Sequence, residues 1–461
     1  MKKNQTTKPR AKKHRKLKIT GLALLALIVA GAAYTLISGY VKTLPRIHYD
    51  YYTGGQPAAT YPDANFAVLS DLHYYDTSLG TTGAAYEADL HSDRKLLADS
   101  GDLLDYSVND LLTRRPQFIL VTGDLTKDGE LIAHQYVAAQ LQKLVDAGIK
   151  VYVIPGNHDV NNPGAVRYTG DKTEPVANIS AADFARIYRN MGYGDAISRD
   201  RNSLSYVTQA SDGLWVVAID SCRYADNKPG GLETIGGKID QGTEKWLAGV
   251  LAQAAREHKA VITIMHHGVI EHWNGQEKLH ADYLVADYQH VGRFLASYHV
   301  GVCFTGHYHA QDITQADFSG GRLYDVETGS LVTPPCPIRY CNFSGGGLSI
   351  QTEAVVDKLH PGTDFAAKGA EFARSMVALE AYNTLRKYLV PVKDAHTIAA
   401  VVGDAFIAHY NGDEDPAKRP AFDPSTVGLW ARIVYHLEAY VVDGLWHDLP
   451  PADNNVTLTM R

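Results

Sequence analysis

Residues 300–310 read "VGVCFTGHYHA". An apolar run with the character of a buried strand stops at Thr305-Gly306, and His307 and His309 follow with one residue between them. In extended backbone alternate side chains share a side, so an H-x-H pair can aim both imidazoles into one cavity. Alone, such a pair reads as two polar residues on a loop. Its meaning depends on what stands at the ends of the other apolar runs.

Four of them end in the same way. "FAVLS" (66–70) leads into Asp71-Leu72-His73, and "FILVT" (118–122) into Gly123-Asp124. "VYVIP" (151–155) leads into Gly156-Asn157-His158-Asp159, and "AVITIM" (260–265) into His266-His267. Open α/β sheets bind ligands beyond the carboxyl ends of their strands, so the five groups are expected to converge on one edge of the sheet. Carboxylate oxygens mixed with imidazole nitrogens, with no thiolate among them, suit Mn, Fe or Zn better than Ca. This combination predicts a metal site.

Between these runs lie stretches with apolar residues at helical spacing, at 93–115, 130–148 and 242–258. Strands alternating with helices predict an α/β domain. Runs at 322–327 and 347–356 have no helix between them and read as a closing antiparallel section. Beyond about 358, three helical segments separated by Pro/Asp/Gly-rich breaks predict an all-α region to residue 461. The expected organisation is therefore a catalytic domain over 63–357 and a helical domain over 358–461.

The N-terminal region is different in kind. Residues 1–18 carry nine Lys/Arg and no acid, which leaves 35 basic and 51 acidic residues in the rest of a chain with formal charge −7. An acidic body argues against a nucleic-acid polymer as its partner. Residues 19–41 are 23 in number and uncharged. As a helix they would span about 34 Å at ~1.5 Å per residue, enough for a ~30 Å hydrocarbon core. The basic block before them sets a positive-inside orientation. A single-pass anchor is expected, with 42–62 as linker and the body outside the cytoplasm. Ala30-Gly31-Ala32 offers the alternative of signal-peptide cleavage and secretion. Of four cysteines, Cys336 and Cys341 flank "PIRY" and could pair.

D-x-H, GD, GNH[DE], a His after a strand, and GHxH in this order resemble the calcineurin-like metallophosphoesterase superfamily over most of 63–333. The resemblance implies a β-sandwich flanked by helices and a binuclear centre of two divalent ions (Mn, Fe or Zn). Asp71, His73 and His309 would hold one ion, and Asn157, His266 and His307 the other, with Asp124 bridging them. His158 would face the phosphate as a catalytic residue and Asp159 would steady its imidazole. His267 would stand behind the ligands. "GDLTKDGE" (123–130) departs from the GDxxDRG of the family's protein phosphatases. It resembles the bacterial cyclic-nucleotide phosphodiesterase-like branch.

Two divalent ions can activate a bridging water and clamp the attacking and leaving oxygens. With Asp71, Asp124 and a hydroxide set against two such ions, the centre keeps about one positive charge, which suits a phosphodiester monoanion. The expected function is phosphodiester hydrolysis, of cyclic nucleotides by resemblance. The alternatives are a broad phosphomonoesterase, a hydrolase of glycerol-phosphate wall or lipid head groups, and a non-catalytic scaffold. A scaffold of this kind predicts missing ligands, and none is missing. Tyr74, Tyr75, Tyr308, His272 and Trp273 flank the motifs and are candidates for stacking on a substrate base, against ordinary packing.

Overall fold

The three apolar runs nearest the N-terminus form β1 (Ala64–Leu69), β2 (Phe118–Val121) and β3 (Lys150–Val153), which pair in parallel. Their side chains are buried almost without a break, as expected for parallel strands covered on both faces. The structure, a computed structural model, describes residues 47–91 and 93–460. The expected basic tail, the 19–41 anchor and the start of the linker lie outside the described residues. Among the described residues no helix is long and apolar enough to cross a membrane.

The longer helices that connect these strands are α1 (Ser100–Arg114) and α2 (Leu131–Asp146). On α1 the buried residues include Leu103, Leu104, Val108 and Leu111, one stripe at helical spacing. A short hairpin of β4 (Val166–Thr169) and β5 (Lys172–Pro175) follows β3.

A second sheet contains β6 (Ser198–Arg199), β7 (Tyr206–Ser211), β8 (Leu214–Ile219), β9 (Ala260–Met265), β10 (Val302–Thr305), β11 (Asp312–Phe318) and β12 (Gly321–Glu327). Its order is β11-β12-β10-β9-β8-β7-β6. The first sheet is completed by β13 (Pro337–Ser344), β14 (Gly347–Ala354) and β15 (Asn455–Thr459), in the order β15-β14-β13-β1-β2-β3. The sheets pack face to face. Phe66 of β1 stacks on Phe118 of β2 at 4.8 Å and meets Phe304 of β10 edge-on at 5.5 Å, so one aromatic cluster ties the two layers.

The five strand ends therefore do not lie on one edge of one sheet. Three come from the first sheet and two from the second, and the sandwich brings them together. Both layers keep parallel neighbours in step: Leu69 is opposite Val121, Val121 opposite Val153, and Phe304 opposite Ile264.

The second sheet is flanked by α3 (Gln241–Arg256) and α4 (Tyr288–Ser297). The C-terminal segments form α5 (Phe365–Lys387), α6 (Val392–Asn411) and α7 (Leu429–Leu445). Helix α6 begins after Pro391 and stops before Gly412 at φ 69°, the expected asymmetry of helix ends. The expected all-α C-terminal region needs one correction, because the chain beyond α7 returns as β15 and pairs with β14. "PIRY" lies in strand β13, and Cys336 and Cys341, expected as a possible pair, are free thiols.

Leu458 is the buried anchor of β15, only 2% exposed. Leu458→Ala is expected to cost about 2–4 kcal/mol, the range for a buried leucine truncated to alanine. A lowered urea midpoint with an unchanged slope is the signature to measure.

Candidate metal centre

Each strand end turns sharply into the centre. Asp71, His73, Asp124, His307 and His309 all have positive φ, between 38° and 77°, a region costly for residues with a Cβ. Backbone bonds hold the turns: Asp71 N–H donates to Gly123 O and His73 N–H to Asp124 O. Gly123 has φ 107°, and a Cβ there would press on the His266 ring. Gly156 lies against Asp124, so closely that a Cβ would strike the carboxylate.

Two buried trios result, Asp71/His73/His309 and Asp124/His266/His307, each with ligand-type atoms within 4.8 Å of one another. In the first, His73 Nε2 and His309 Nε2 are 3.2 Å apart, and Asp71 Oδ1 is 3.4 Å from His309 Nε2. Asp124 links the two. Its Oδ1 accepts the His158 N–H at 2.9 Å. Its Oδ2 stands 3.5 Å from His73 Nε2 and 3.4 Å from His266 Nε2. Asn157 Oδ1 is 3.1 Å from His266 Nε2. All seven expected ligands thus meet in one place.

The donor set fits divalent cations. Asp71 Oδ1 and His307 Nε2 are buried with no hydrogen-bond partner among the described residues. Burial drives the pKa of His73, His307 and His309 down, which leaves neutral rings with free lone pairs. His266 donates from Nδ1 to Thr122 O at 2.9 Å, so its Nε2 is turned to the centre; such anchoring of the far nitrogen is common for metal-binding histidines. Burial opposes a charge on His266, yet Asp124 lifts its pKa to about 9. A cation would take the place of that proton. His267 is committed elsewhere, through Nδ1 to Ser221 Oγ and Nε2 to Ile235 O, both at 2.8 Å. It packs against His266 and His307.

Asp159 does not steady His158. Its carboxylate is taken up by the N–H groups of Leu125, Thr126 and Gly156 and by the Thr126 hydroxyl, so it ties the two loops together. The partner of the His158 ring is Asp128, with Nδ1 and Oδ1 3.0 Å apart. Burial opposes the His158 charge, but Asp124 and Asp128 outweigh it and raise its pKa to about 9. Asp128 went unnoticed in the sequence, although it stands in "GDLTKDGE". Lys95, buried and paired with Asp93 at 2.9 Å, also faces the centre; no motif marks it.

The aromatic candidates are packing residues. Tyr74 stacks on Tyr136, Tyr75 packs against Tyr86 and Tyr168, and Tyr308 and Trp273 are buried with the C-terminal helices. His272 is buried among carboxylates of the second sheet. A cleft lined by Arg94, Tyr283, Val377 and Phe406 lies among the C-terminal helices, and the Tyr283 ring on its wall is 4.5 Å from that of His307.

Asp124→Asn is expected to lower bound Mn²⁺ at both positions, and His158→Ala to leave it unchanged. Metal analysis by mass spectrometry of the two variants checks this. Loss of an ion from His158→Ala would place His158 among the ligands.

The family model for calcineurin-like phosphoesterase matches residues 64–311, from β1 to just past His309. Among solved structures, a dimetal phosphatase from Danio rerio is 16% identical, with 64% of this chain and 97% of that chain covered and a TM-score of 0.45. The sulfate thiohydrolase SoxB of Thermus thermophilus, in complex with glycerol, is 11% identical, covering 70% and 61%, with a TM-score of 0.34. GAP50 of Plasmodium, described as the anchor in the inner membrane complex, is 12% identical, covering 65% and 86%, with a TM-score of 0.33. No curated protein matches the sequence. The family match spans more than half of the 461 residues, and the chain belongs to the calcineurin-like phosphoesterase family as a metal-dependent phosphoesterase.

Proposed function

We propose that the protein is a phosphodiesterase, anchored to the cell membrane by residues 19–41 with its catalytic body outside the cytoplasm, and that its substrates are small diesters such as cyclic nucleotides. Asp71, His73 and His309 would hold one divalent ion, Asn157, His266 and His307 the other, and Asp124 both. Bound there, the ions would supply Lewis acidity and activate the attacking water.

The observation that carries the diester reading is the pairing of the nearby cations. Lys95 is bound to Asp93, Arg94 to Glu380, and Lys127 to Asp89 and Asp128. None brings an uncompensated charge to a second anionic phosphate oxygen. A protonated His158 is balanced by Asp128, so the centre keeps the single positive charge expected from its two carboxylates, which matches a monoanion. One unit of charge at 4 Å is worth about 4 kcal/mol at an effective dielectric near 20, enough to set the preference.

His158 supplies the proton. With Nδ1 held by Asp128, its Nε2 is the nitrogen free to meet the leaving oxygen. Paired with Asp128, the ring can carry the proton that it gives to the departing alkoxide as the P–O bond breaks. The half-buried position of His158 gives a substrate access that the buried ligands lack.

The Mn²⁺-loaded protein should hydrolyse bis(p-nitrophenyl) phosphate with higher kcat/KM than p-nitrophenyl phosphate at matched pH. His158→Ala should lower kcat for the diester by roughly 10²–10⁴. A clear monoester preference would move the assignment to a phosphomonoesterase.

The topology has its own check. Protease added to intact cells should remove the body and spare a membrane peptide. A mature N-terminus at Ala33 would show cleavage and secretion instead, and full protection of the body would place it inside.

A further inference from the structure

Where the C-terminal helices meet the second sheet, a second group of metal-type ligands lies outside the catalytic centre. Asp312 opens β11, three residues after His309; His409 lies in the last turn of α6, and Glu414 follows it. All three are buried, and one ligand-type atom from each lies within 4.8 Å of the others. His409 Nδ1 is bonded to Glu414 Oε1 and is 3.7 Å from Asp312 Oδ2. Asp413, Asp448 and Asp453 form an adjoining acidic trio.

Carboxylates outnumber cations here. Asp312, Asp325, Glu327, Glu414, Asp448 and Asp453 share His272, His409 and Arg339. Buried Arg339 gives its guanidinium to the carbonyls of Asp453 and Glu327, not to a carboxylate. His272 is bound to Asp312 Oδ1 at 2.7 Å. Asp325 accepts from Val269 and Ile270 N–H and the Thr305 hydroxyl, and Asp453 from Ile313 and Asp413 N–H.

Glu414, only 6% exposed, meets His409 through Oε1, while its Oε2 is buried without a hydrogen-bond partner among the described residues. The same holds for His409 Nε2 and Asp448 Oδ1. A buried carboxylate oxygen without a donor is costly unless a cation stands beside it. Burial and the neighbouring acids push Asp448 up to about 7 and Asp453 up to about 10.

We propose that Asp312, His409 and Glu414 hold a third divalent cation, apart from the catalytic pair, which fastens the end of α6 to the start of β11. One imidazole with two carboxylates and no thiolate suits Mn²⁺ or Zn²⁺. Glu414 also lines a surface cleft with Asp413, Asp415 and Trp446, which gives the ion a way in. The His409 ring packs 5.7 Å from that of Tyr308, the residue between His307 and His309. The site thus lies behind the H-x-H turn, away from the substrate.

Metal content of the full chain after loading with Mn²⁺ or Zn²⁺ and removal of excess tests this. The wild type should hold three equivalents and His409→Asn/Glu414→Gln two, with kcat for the nitrophenyl diester within about twofold and a lower Tm. In Asp71→Asn/Asp124→Asn, with the catalytic centre disabled, calorimetric titration should still find one tight equivalent of Mn²⁺ or Zn²⁺. Two equivalents or fewer in the wild type would overturn the proposal and leave His409 and Glu414 sharing a proton. So would a catalytic-centre variant that binds none. Neither result depends on His409→Asn/Glu414→Gln folding, or on which ester is preferred.

Discussion

The carboxylate of Asp124 sets the terms on which the two sheets meet. One oxygen is fixed by the His158 N–H, and the other stands between His73 from the first sheet and His266 from the second. For that to occur, five residues with a Cβ must adopt left-handed backbone. At about 1 kcal/mol each, the strain is comparable to the whole net stability of a small domain, ~5–15 kcal/mol. Loops alone would relax out of it. The aromatic cluster of Phe66, Phe118 and Phe304 holds the strand ends in place; truncating one such phenylalanine costs about 3–5 kcal/mol.

Much of this centre was legible in the sequence because its signals are local. A buried parallel strand is a short apolar run, and a ligand placed just beyond it stays next to it in the chain. The partner of His158 was not legible, since Asp128 reaches it only through the fold of the 123–130 loop, while Asp159, its neighbour in sequence, is turned into the loop contacts. Convergence was expected on one sheet edge, yet it needs two sheets, and nothing local records which strands share a layer. β13 carries no clear strand signal, because it opens on Pro337 and buries Arg339, which breaks the apolar pattern. Lys95 has no signal, for a lysine beside an aspartate is usually a solvated pair.

The C-terminal helices do more than cover a sheet. Val377, Phe406, Tyr410, Val442 and Leu445 form one core with Trp273, Tyr308 and Ala310. Tyr308 belongs to that core while its neighbours on either side belong to the metal centre. Packing among the helices and the spacing of His307 and His309 are therefore mechanically connected.

β15 reaches the first sheet only after about one hundred further residues have followed β14. During synthesis the outer edge of β14 stays without its neighbour until that whole stretch has emerged. An unpaired edge of this kind is a template for mispairing with another chain, and closing so long a loop slows folding. Collapse of the helices between them would shorten that search. The order of assembly is thus written into the connectivity: the first strand laid down at the metal centre waits for the last to seal its sheet.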